Sequence, residues 1–120
     1  MNAELRTQAQ AFLRDTVRKT RSDCKQRRAL EFTVTVDYLM TLLEAQGGRC
    51  ALSGWQLEFT RGGDYKGGKN PRGCTIDRID SAQGYVEGNV QLACCLPNYL
   101  KADMPLAEFR SLCRAIGSIS

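Results

Sequence analysis

Residues 73–101, GCTIDRIDSAQGYVEGNVQLACCLPNYLK, decide the fold that this chain can adopt. Apolar and β-branched residues alternate over 74–79 and again over 90–93, as is typical of strands. The Ser, Gly and Asn residues of 80–89 predict a loop between them. Residues 96–101 have helical spacing, with Pro97 in the first turn, where proline is tolerated. The stretch therefore predicts a hairpin closed by a short helix.

Three polar residues stand at the junctions of this hairpin and helix: Asp77, Asn89 and Asn98. A carboxylate and a carboxamide oxygen that converge on one point are hard ligands suited to Mg²⁺ or Mn²⁺. Asp and Asn are also the commonest turn and cap residues. Spacing alone therefore leaves both a metal site and ordinary turn chemistry open.

Length and composition indicate one soluble domain of 120 residues. No apolar run approaches a membrane span and no signal-peptide pattern opens the sequence, so we expect a cytoplasmic protein with no membrane partner. The chain has six cysteines, two of them adjacent at 94 and 95. Without a secretory signal, reduced thiols are the expectation for most of them.

The net charge of +4 is concentrated at the N-terminus. Residues 1–31 hold 8 Lys or Arg and 4 Asp or Glu, whereas residues 32–120 hold 9 of each kind. A basic segment on a neutral body points to an anionic partner, and first of all to nucleic acid.

Residues 2–30 predict a long helix with an apolar face and an adjoining basic stripe. The basic stripe consists of Arg14, Arg18, Arg21, Lys25 and Arg28. Its side chains could follow a phosphate backbone, or they could form a solvated face whose long stems cover apolar surface. We assign the stripe to nucleic-acid binding, together with Arg72 and Lys101 further along the chain.

The remaining elements are expected to be mostly helical. Thr35 is a plausible N-cap for a helix through residue 46, which Gly47 and Gly48 would end. Residues 60–73 form a loop with five glycines and four cations. A last helix begins near Asp103, and its expected inward face comprises Leu106, Phe109, Leu112, Cys113 and Ile116. The predicted class is α+β, a mainly helical chain around a small two-stranded core.

Taken in order, four pieces of this sequence resemble the HNH (ββα-metal) endonuclease family, in phage or bacterial members that have DRI in place of DHI. The pieces are GGRCALSG at 47–54, TIDRID at 75–80, GYVEGNV at 84–90 and the CCLPNYLK tail that ends at Lys101. The similarity extends over about residues 46–116. It divides the chain into a basic N-terminal helix, 1–31, and an HNH-like nuclease domain, 32–120.

The resemblance implies a role for each matching residue. Asp77 and Asn98 would bind one divalent ion, Mg²⁺ or Mn²⁺, and Asn89 would brace the loop that orients the base. The position of that base, normally a histidine, is Arg78 here, and the chain contains no histidine. An arginine cannot accept a proton near neutral pH, so Arg78 could clamp the phosphate instead. Asp80, Tyr85 or a metal-bound hydroxide remain as substitute bases.

Many relatives also hold a structural zinc on two CxxC knuckles, and here each knuckle keeps only its first cysteine, Cys50 and Cys94. Two thiolates fall short of the four ligands of a structural site. We therefore expect no structural zinc, and we expect these two cysteines to pack near each other in the core.

The favoured function is metal-dependent hydrolysis of DNA phosphodiester bonds, with double-stranded DNA as the partner. The alternative is a weak or inactive HNH-fold protein that only binds nucleic acid. A module whose basic helix docks on an acidic protein also stays open, as does assembly into a homo-oligomer or with a partner protein.

Overall fold

The computed structural model describes residues 1–28 and 30–119, apart from the side chains of Arg27 and Arg28. Helix α1 spans Ala3–Asp23 and runs on into a π-helical turn, Cys24–Arg28. The elements that follow are α2 (Val36–Ala45), a 3₁₀ turn (Lys66–Gly68), β1 (Cys74–Arg78), β2 (Val90–Cys94), α3 (Cys95–Lys101) and α4 (Leu106–Gly117). The predicted α+β class and the predicted hairpin are confirmed.

Strands β1 and β2 form an antiparallel pair in which Cys74 faces Cys94 and Arg78 faces Val90. Because side chains alternate along a strand, Thr75 and Asp77 lie on the same face of this pair. Helix α3 begins directly after β2 and packs on both strands. The hairpin and α3 therefore form one unit, the ββα core.

Helices α1 and α2 supply a large part of the hydrophobic core around this unit. Asn2 caps α1 by accepting a hydrogen bond from the Leu5 backbone N–H at 2.8 Å. Thr35 caps α2 in the same way, by accepting from the Tyr38 N–H at 3.1 Å. Both helices bury three residues in the cluster that also holds the strand residues, and these are Ala9, Leu13, Val17, Leu39, Met40 and Leu43. The predicted division of the chain at residue 31 stays a prediction.

Helix α4 differs from its prediction. Of the five apolar residues expected to face inward, Phe109 is buried, whereas Leu112 and Ile116 are 45% and 62% exposed. An amphipathic pattern marks a face that can be buried, and here Phe109 is the buried residue of the helix. Beyond it, the side chain of Arg110 donates to the Ala51 carbonyl at 2.8 Å. No helix in the described part of the chain is long and apolar enough to span a membrane.

The segment before α2 is hydrogen-bonded to the loop that connects β1 and β2. The backbone N–H of Tyr85 donates to the Glu31 carbonyl at 2.8 Å, and the Tyr85 carbonyl accepts from Thr33 at 2.9 Å. Gly84 permits this approach, since a Cβ at that position would lie 2.3 Å from the Glu31 carbonyl oxygen. The loop between the strands is thus fixed from outside as well as from within.

Candidate active site

Asp77, near the end of β1, is 3% exposed, and each oxygen of its carboxylate accepts one hydrogen bond. Its Oδ2 atom accepts a hydrogen bond from Nε2 of Gln91, the residue that faces it across the hairpin, at 2.9 Å. Its Oδ1 atom accepts from Nζ of Lys101 at 3.1 Å. A buried carboxylate needs such partners, because an unpaired charge in the interior is costly.

The position of Lys101 contradicts the prediction that this residue contacts nucleic acid. Its side chain is 1% exposed, and its ammonium group donates to Asp77 and to the backbone carbonyl of Arg78, each at 3.1 Å. The physical reason is its position, one helical turn after Asn98 on the side of α3 that packs against β1. Lys101 therefore lies behind the site and cannot reach a phosphate backbone.

Asn98, in α3, is half-buried beside the same face of the hairpin. Its Nδ2 donates to Oγ1 of Thr75 at 2.9 Å, and that hydroxyl donates to the Ala93 carbonyl at 2.7 Å. Oδ1 of Asn98 accepts no hydrogen bond from any described residue, so it is available as a ligand.

Asp77 and Asn98 line one open cleft of about 440 Å³. That volume is in the range of small-ligand sites. The polar residues that line it are Thr75, Asp77, Arg78, Ser81, Asn98 and Asp103. Strand β1 and helix α3 thus bring both predicted metal ligands, which are 21 positions apart in sequence, to one place.

Arg78 lines the cleft as well and is partly committed to the loop. Its Nη1 donates to the carbonyls of Ser81 at 2.6 Å and Gln83 at 3.2 Å, and its guanidinium lies 5.3 Å from the ring centre of Tyr85. Its Nε and Nη2 groups donate to no described residue. The guanidinium is therefore fixed in place with donors to spare for an anion.

Asn89 lies outside the cleft and ties the ends of the loop together. Its Oδ1 accepts from the Asp80 N–H at 2.9 Å, and its Nδ2 donates to the carbonyls of Asp80 at 3.1 Å and Gly84 at 2.8 Å. These three bonds are the contacts that a bracing residue needs. A catalytic part for Asn89 stays a prediction.

Two of the substitute bases are occupied by structural contacts. The carboxylate of Asp80 accepts from the Ala82 N–H at 2.9 Å and from Nε2 of Gln83 at 3.0 Å, as a turn-capping residue does. Tyr85 lines the cleft but is buried, and its ring centre lies 5.3 Å from that of Phe32, with the ring planes tilted by 38°.

Asp103 is the cleft residue that sequence reasoning missed. It is exposed, and its carboxylate has no hydrogen bond or ion pair with a described residue. Ala102 before it has φ 50° and ψ −127°, a rare conformation for a residue with a side chain. The resulting turn brings Asp103 to the rim of the cleft, where its carbonyl accepts from Oγ of Ser81 at 3.1 Å. The only sequence signal was an acidic residue just after the NxxK tail.

The donor set of the cleft fits a hard divalent ion. A carboxylate oxygen can accept two contacts, and each oxygen of Asp77 holds one in the described structure. No group of three or more His, Cys, Asp or Glu side chains among residues 1–28 and 30–119 is placed to bind a metal. A metal here would therefore have two protein ligands, with water and phosphate completing its shell, as is common for Mg²⁺.

Cys50 and Cys94 pack together in the core, as predicted. The Sγ atom of Cys50 accepts backbone N–H groups of Cys94 at 3.1 Å and of Leu52 and Ser53 at 3.4 Å each. Hydrogen bonding between the two thiols, together with these backbone bonds, lowers the pKa of Cys50 to about 4. The same interaction raises the pKa of Cys94, whose Sγ also lies 3.9 Å from the Gln56 carbonyl oxygen. Hydrogen bonds to the Cys50 sulfur thus fix the loop of residues 50–53.

The basic stripe is exposed wherever its side chains are described. Arg14, Arg18 and Arg21 line one groove between α1 and the start of α2. Arg18 also pairs with Asp15, which lowers the pKa of that carboxyl. Lys25 is exposed, and the side chain of Arg28 lies outside the described residues.

Arg61 and Arg72, two of the four cations in the loop of residues 60–73, are held by contacts with other segments. Arg61 pairs with Asp15 at 2.9 Å and lies over the ring of Phe12 at 4.3 Å. Arg72, assigned to nucleic-acid binding, lies over the ring of Trp55 at 4.2 Å. These contacts fix the loop against α1 and the knuckle.

A comparison with solved structures identifies the type of fold. A solved structure titled "An extraordinary mechanism of DNA perturbation exhibited by the rare-cutting HNH restriction endonuclease PacI" superposes on this chain with a TM-score of 0.55. The match covers 83% of this chain and 73% of that one, at 23% identity. The chain has an HNH-like nuclease fold. No protein-family model and no curated protein matches the sequence, so the HNH-like fold rests on the structural match and on the ββα core.

Replacing Asn89 by Ala should destabilise the HNH-like fold by about 2–4 kcal/mol, because three buried loop contacts lose their partner. Thermal and urea unfolding would measure the change. The control is Gln83→Ala, which removes one exposed contact of the same loop and should cost under about 0.5 kcal/mol. Equal effects of the two substitutions would show that Asn89 does not brace the loop.

Proposed function

We propose that this chain is a metal-dependent endonuclease that hydrolyses DNA phosphodiester bonds in the cleft. The observation that supports it best is that Asp77 and Asn98, from β1 and α3, line one cleft together with the guanidinium of Arg78. The HNH-like fold and the description of PacI as a restriction endonuclease favour DNA as the substrate.

Each residue has a part in this proposal. The carboxylate of Asp77 and Oδ1 of Asn98 hold one Mg²⁺ or Mn²⁺. When bound, such an ion polarises the scissile phosphate and stabilises the charge that develops on the leaving oxygen. Arg78 uses its Nε and Nη2 groups to clamp a phosphate oxygen, and its contacts with Ser81 and Gln83 keep it in position.

The reaction also needs an acceptor for the proton of the attacking water, and we assign this role to Asp103. The water oxygen forms a bond to phosphorus and its proton passes to the Asp103 carboxylate. The bond from phosphorus to the leaving oxygen breaks, and that oxygen keeps the electron pair and takes up a proton from solvent. Asp103 is a carboxylate of the cleft that is exposed and has no described partner, whereas Asp77 is paired. Arg78 stays charged throughout and cannot take this part.

Incubation with supercoiled plasmid and Mg²⁺ or Mn²⁺ should produce nicked circles, and Asp77→Ala and Asn98→Ala should each reduce nicking by at least about tenfold by removing a metal ligand. Gel electrophoresis would follow the conversion, and circular dichroism would check that each variant folds, because Asp77→Ala leaves the buried Lys101 unpaired. Glu108→Ala, an exposed residue of α4 outside the cleft, is the control and should retain activity. Nicking that is absent with both metals, or that survives unchanged in both ligand variants, would contradict the proposal.

Asp103→Asn should reduce the nicking rate by about 10²–10⁴-fold, since it removes a general base while keeping the size of the side chain. Single-turnover nicking would measure the rate, with circular dichroism to check the fold. Asp64→Asn, an exposed carboxylate of the glycine-rich loop, serves as the control. A rate for Asp103→Asn within about twofold of the wild-type rate would rule out the assignment.

DNA binding is proposed to involve the basic stripe and Arg72. Replacing Arg14, Arg18 and Arg21 by Gln should weaken binding to duplex DNA and reduce the slope of log K against log salt by about 3, one unit for each lost phosphate contact. Fluorescence anisotropy over a range of NaCl concentrations would measure both. A variant with Lys19→Gln changes the adjacent face and should retain most of the slope. An unchanged slope in the triple variant would assign the stripe to a solvated face.

A second candidate is an HNH-fold protein that binds DNA without cutting it. One observation favours it: Asp77 is already satisfied by Lys101 and Gln91 without any metal. In that case, DNA binding would survive Asp77→Ala and no metal would support nicking.

A further inference from the structure

The ion pair between Asp77 and Lys101 places a positive charge directly behind the candidate metal ligand. The two side chains are 3% and 1% exposed, and the ammonium nitrogen lies 3.1 Å from Oδ1. Lysine is almost never fully buried unless it is paired. The pair is thus a built feature of the ββα core.

The charges of this pair affect how strongly the cleft binds a cation. The ammonium group of Lys101 neutralises the one carboxylate that the fold offers as a metal ligand, and Asn98 contributes no charge. Arg78 adds a positive charge to the same cleft, and Asp103 at its rim adds a negative one. A divalent ion bound by Asp77 would share that carboxylate with an ammonium group. A phosphodiester group in the cleft would supply a further negative charge to the ion.

We propose that Lys101 makes metal binding conditional on DNA. The free protein binds a divalent cation weakly, and the affinity rises when a backbone phosphate occupies the cleft. This inference rests on the proposed nuclease function and adds an order of assembly to it. Because coupling between two ligands is reciprocal, the metal raises the affinity for DNA by the same factor. Lys101 is a positioning residue in this scheme, since it acts through Asp77.

Replacing Lys101 by a neutral hydrogen-bond donor distinguishes the effect of its charge from its contribution to the structure. Gln91 already satisfies Oδ2 of Asp77 with a neutral amide at 2.9 Å. Lys101→Gln removes the charge and retains a neutral amide donor, on a side chain one bond shorter than that of lysine. Lys101→Arg keeps the charge, and Lys19→Gln removes one exposed lysine elsewhere.

The test is Mn²⁺ binding to the protein without DNA, followed by electron paramagnetic resonance of the free ion. We expect Lys101→Gln to bind Mn²⁺ about tenfold tighter than the wild type, within the usual range of coupling between sites. Lys101→Arg and Lys19→Gln should match the wild type. Added Mn²⁺ should also raise the melting temperature of Lys101→Gln, because a ligand that binds the folded state stabilises it.

Two further arms complete the experiment. Wild-type protein should bind Mn²⁺ about tenfold tighter with a short DNA duplex than without it, after subtraction of binding to the duplex alone. Gln91→Glu adds a negative charge beside Asp77 while Lys101 stays in place. It should also tighten Mn²⁺ binding, and it decides the matter if Lys101→Gln does not fold.

The outcomes distinguish this inference from the function on which it rests. Equal Mn²⁺ affinity of wild type, Lys101→Gln and Gln91→Glu, in a protein that nicks DNA, would overturn the role of Lys101 and leave the nuclease intact. If no variant binds Mn²⁺ with or without DNA and none nicks, the nuclease function is wrong and this inference falls with it.

Discussion

The buried contact between Asp77 and Lys101 is the constraint on which the rest of the ββα core depends. It joins the last residue of α3 to the end of β1, while the start of α3 is joined covalently to β2. The helix is thus held to both strands, and Asn98 lies between these two attachments. Removal of one partner from a buried pair typically costs about 3–5 kcal/mol, because a charge is left unpaired. The geometry of the cleft and the stability of the core therefore depend on one contact.

The loop between the strands is the second fixed part of the site. Asn89 closes it from within through three hydrogen bonds, and the backbone of Tyr85 joins it to the segment before α2. Arg78 spans the two parts, since it lies on β1 and donates to loop carbonyls. An arginine in the usual position of the base can thus donate to loop carbonyls with one nitrogen of its guanidinium and to a phosphate with the others.

Local patterns in the sequence were enough to predict most of the elements. Alternation marked both strands, Thr35 marked the start of α2, and Pro97 fitted the first turn of α3, because each signal depends on neighbours within a few residues. The predicted ligands Asp77 and Asn98 do meet at one cleft. Their roles came from a family resemblance, since spacing alone left turn chemistry open.

What the sequence could not predict depends on contacts between distant segments. The partner of Lys101 lies 24 residues away, and only the packing of α3 on β1 turns that lysine inward. Asp103 lines the cleft because of the unusual backbone of Ala102, which an alanine in sequence does not indicate. The spacing of apolar residues in α4 shows which face of the helix could be buried, but it does not show that Ile116 on that face remains exposed.

The central claim is that Asp77 and Asn98 form a metal site completed by DNA. Anomalous diffraction at the Mn absorption edge, from crystals of the protein with Mn²⁺ and a DNA duplex, tests it most directly. The account predicts one anomalous peak within coordination distance of an Asp77 carboxylate oxygen, Oδ1 of Asn98 and a phosphate oxygen, and a much weaker peak without DNA. A strong peak elsewhere, or DNA bound with no peak beside Asp77, would contradict it.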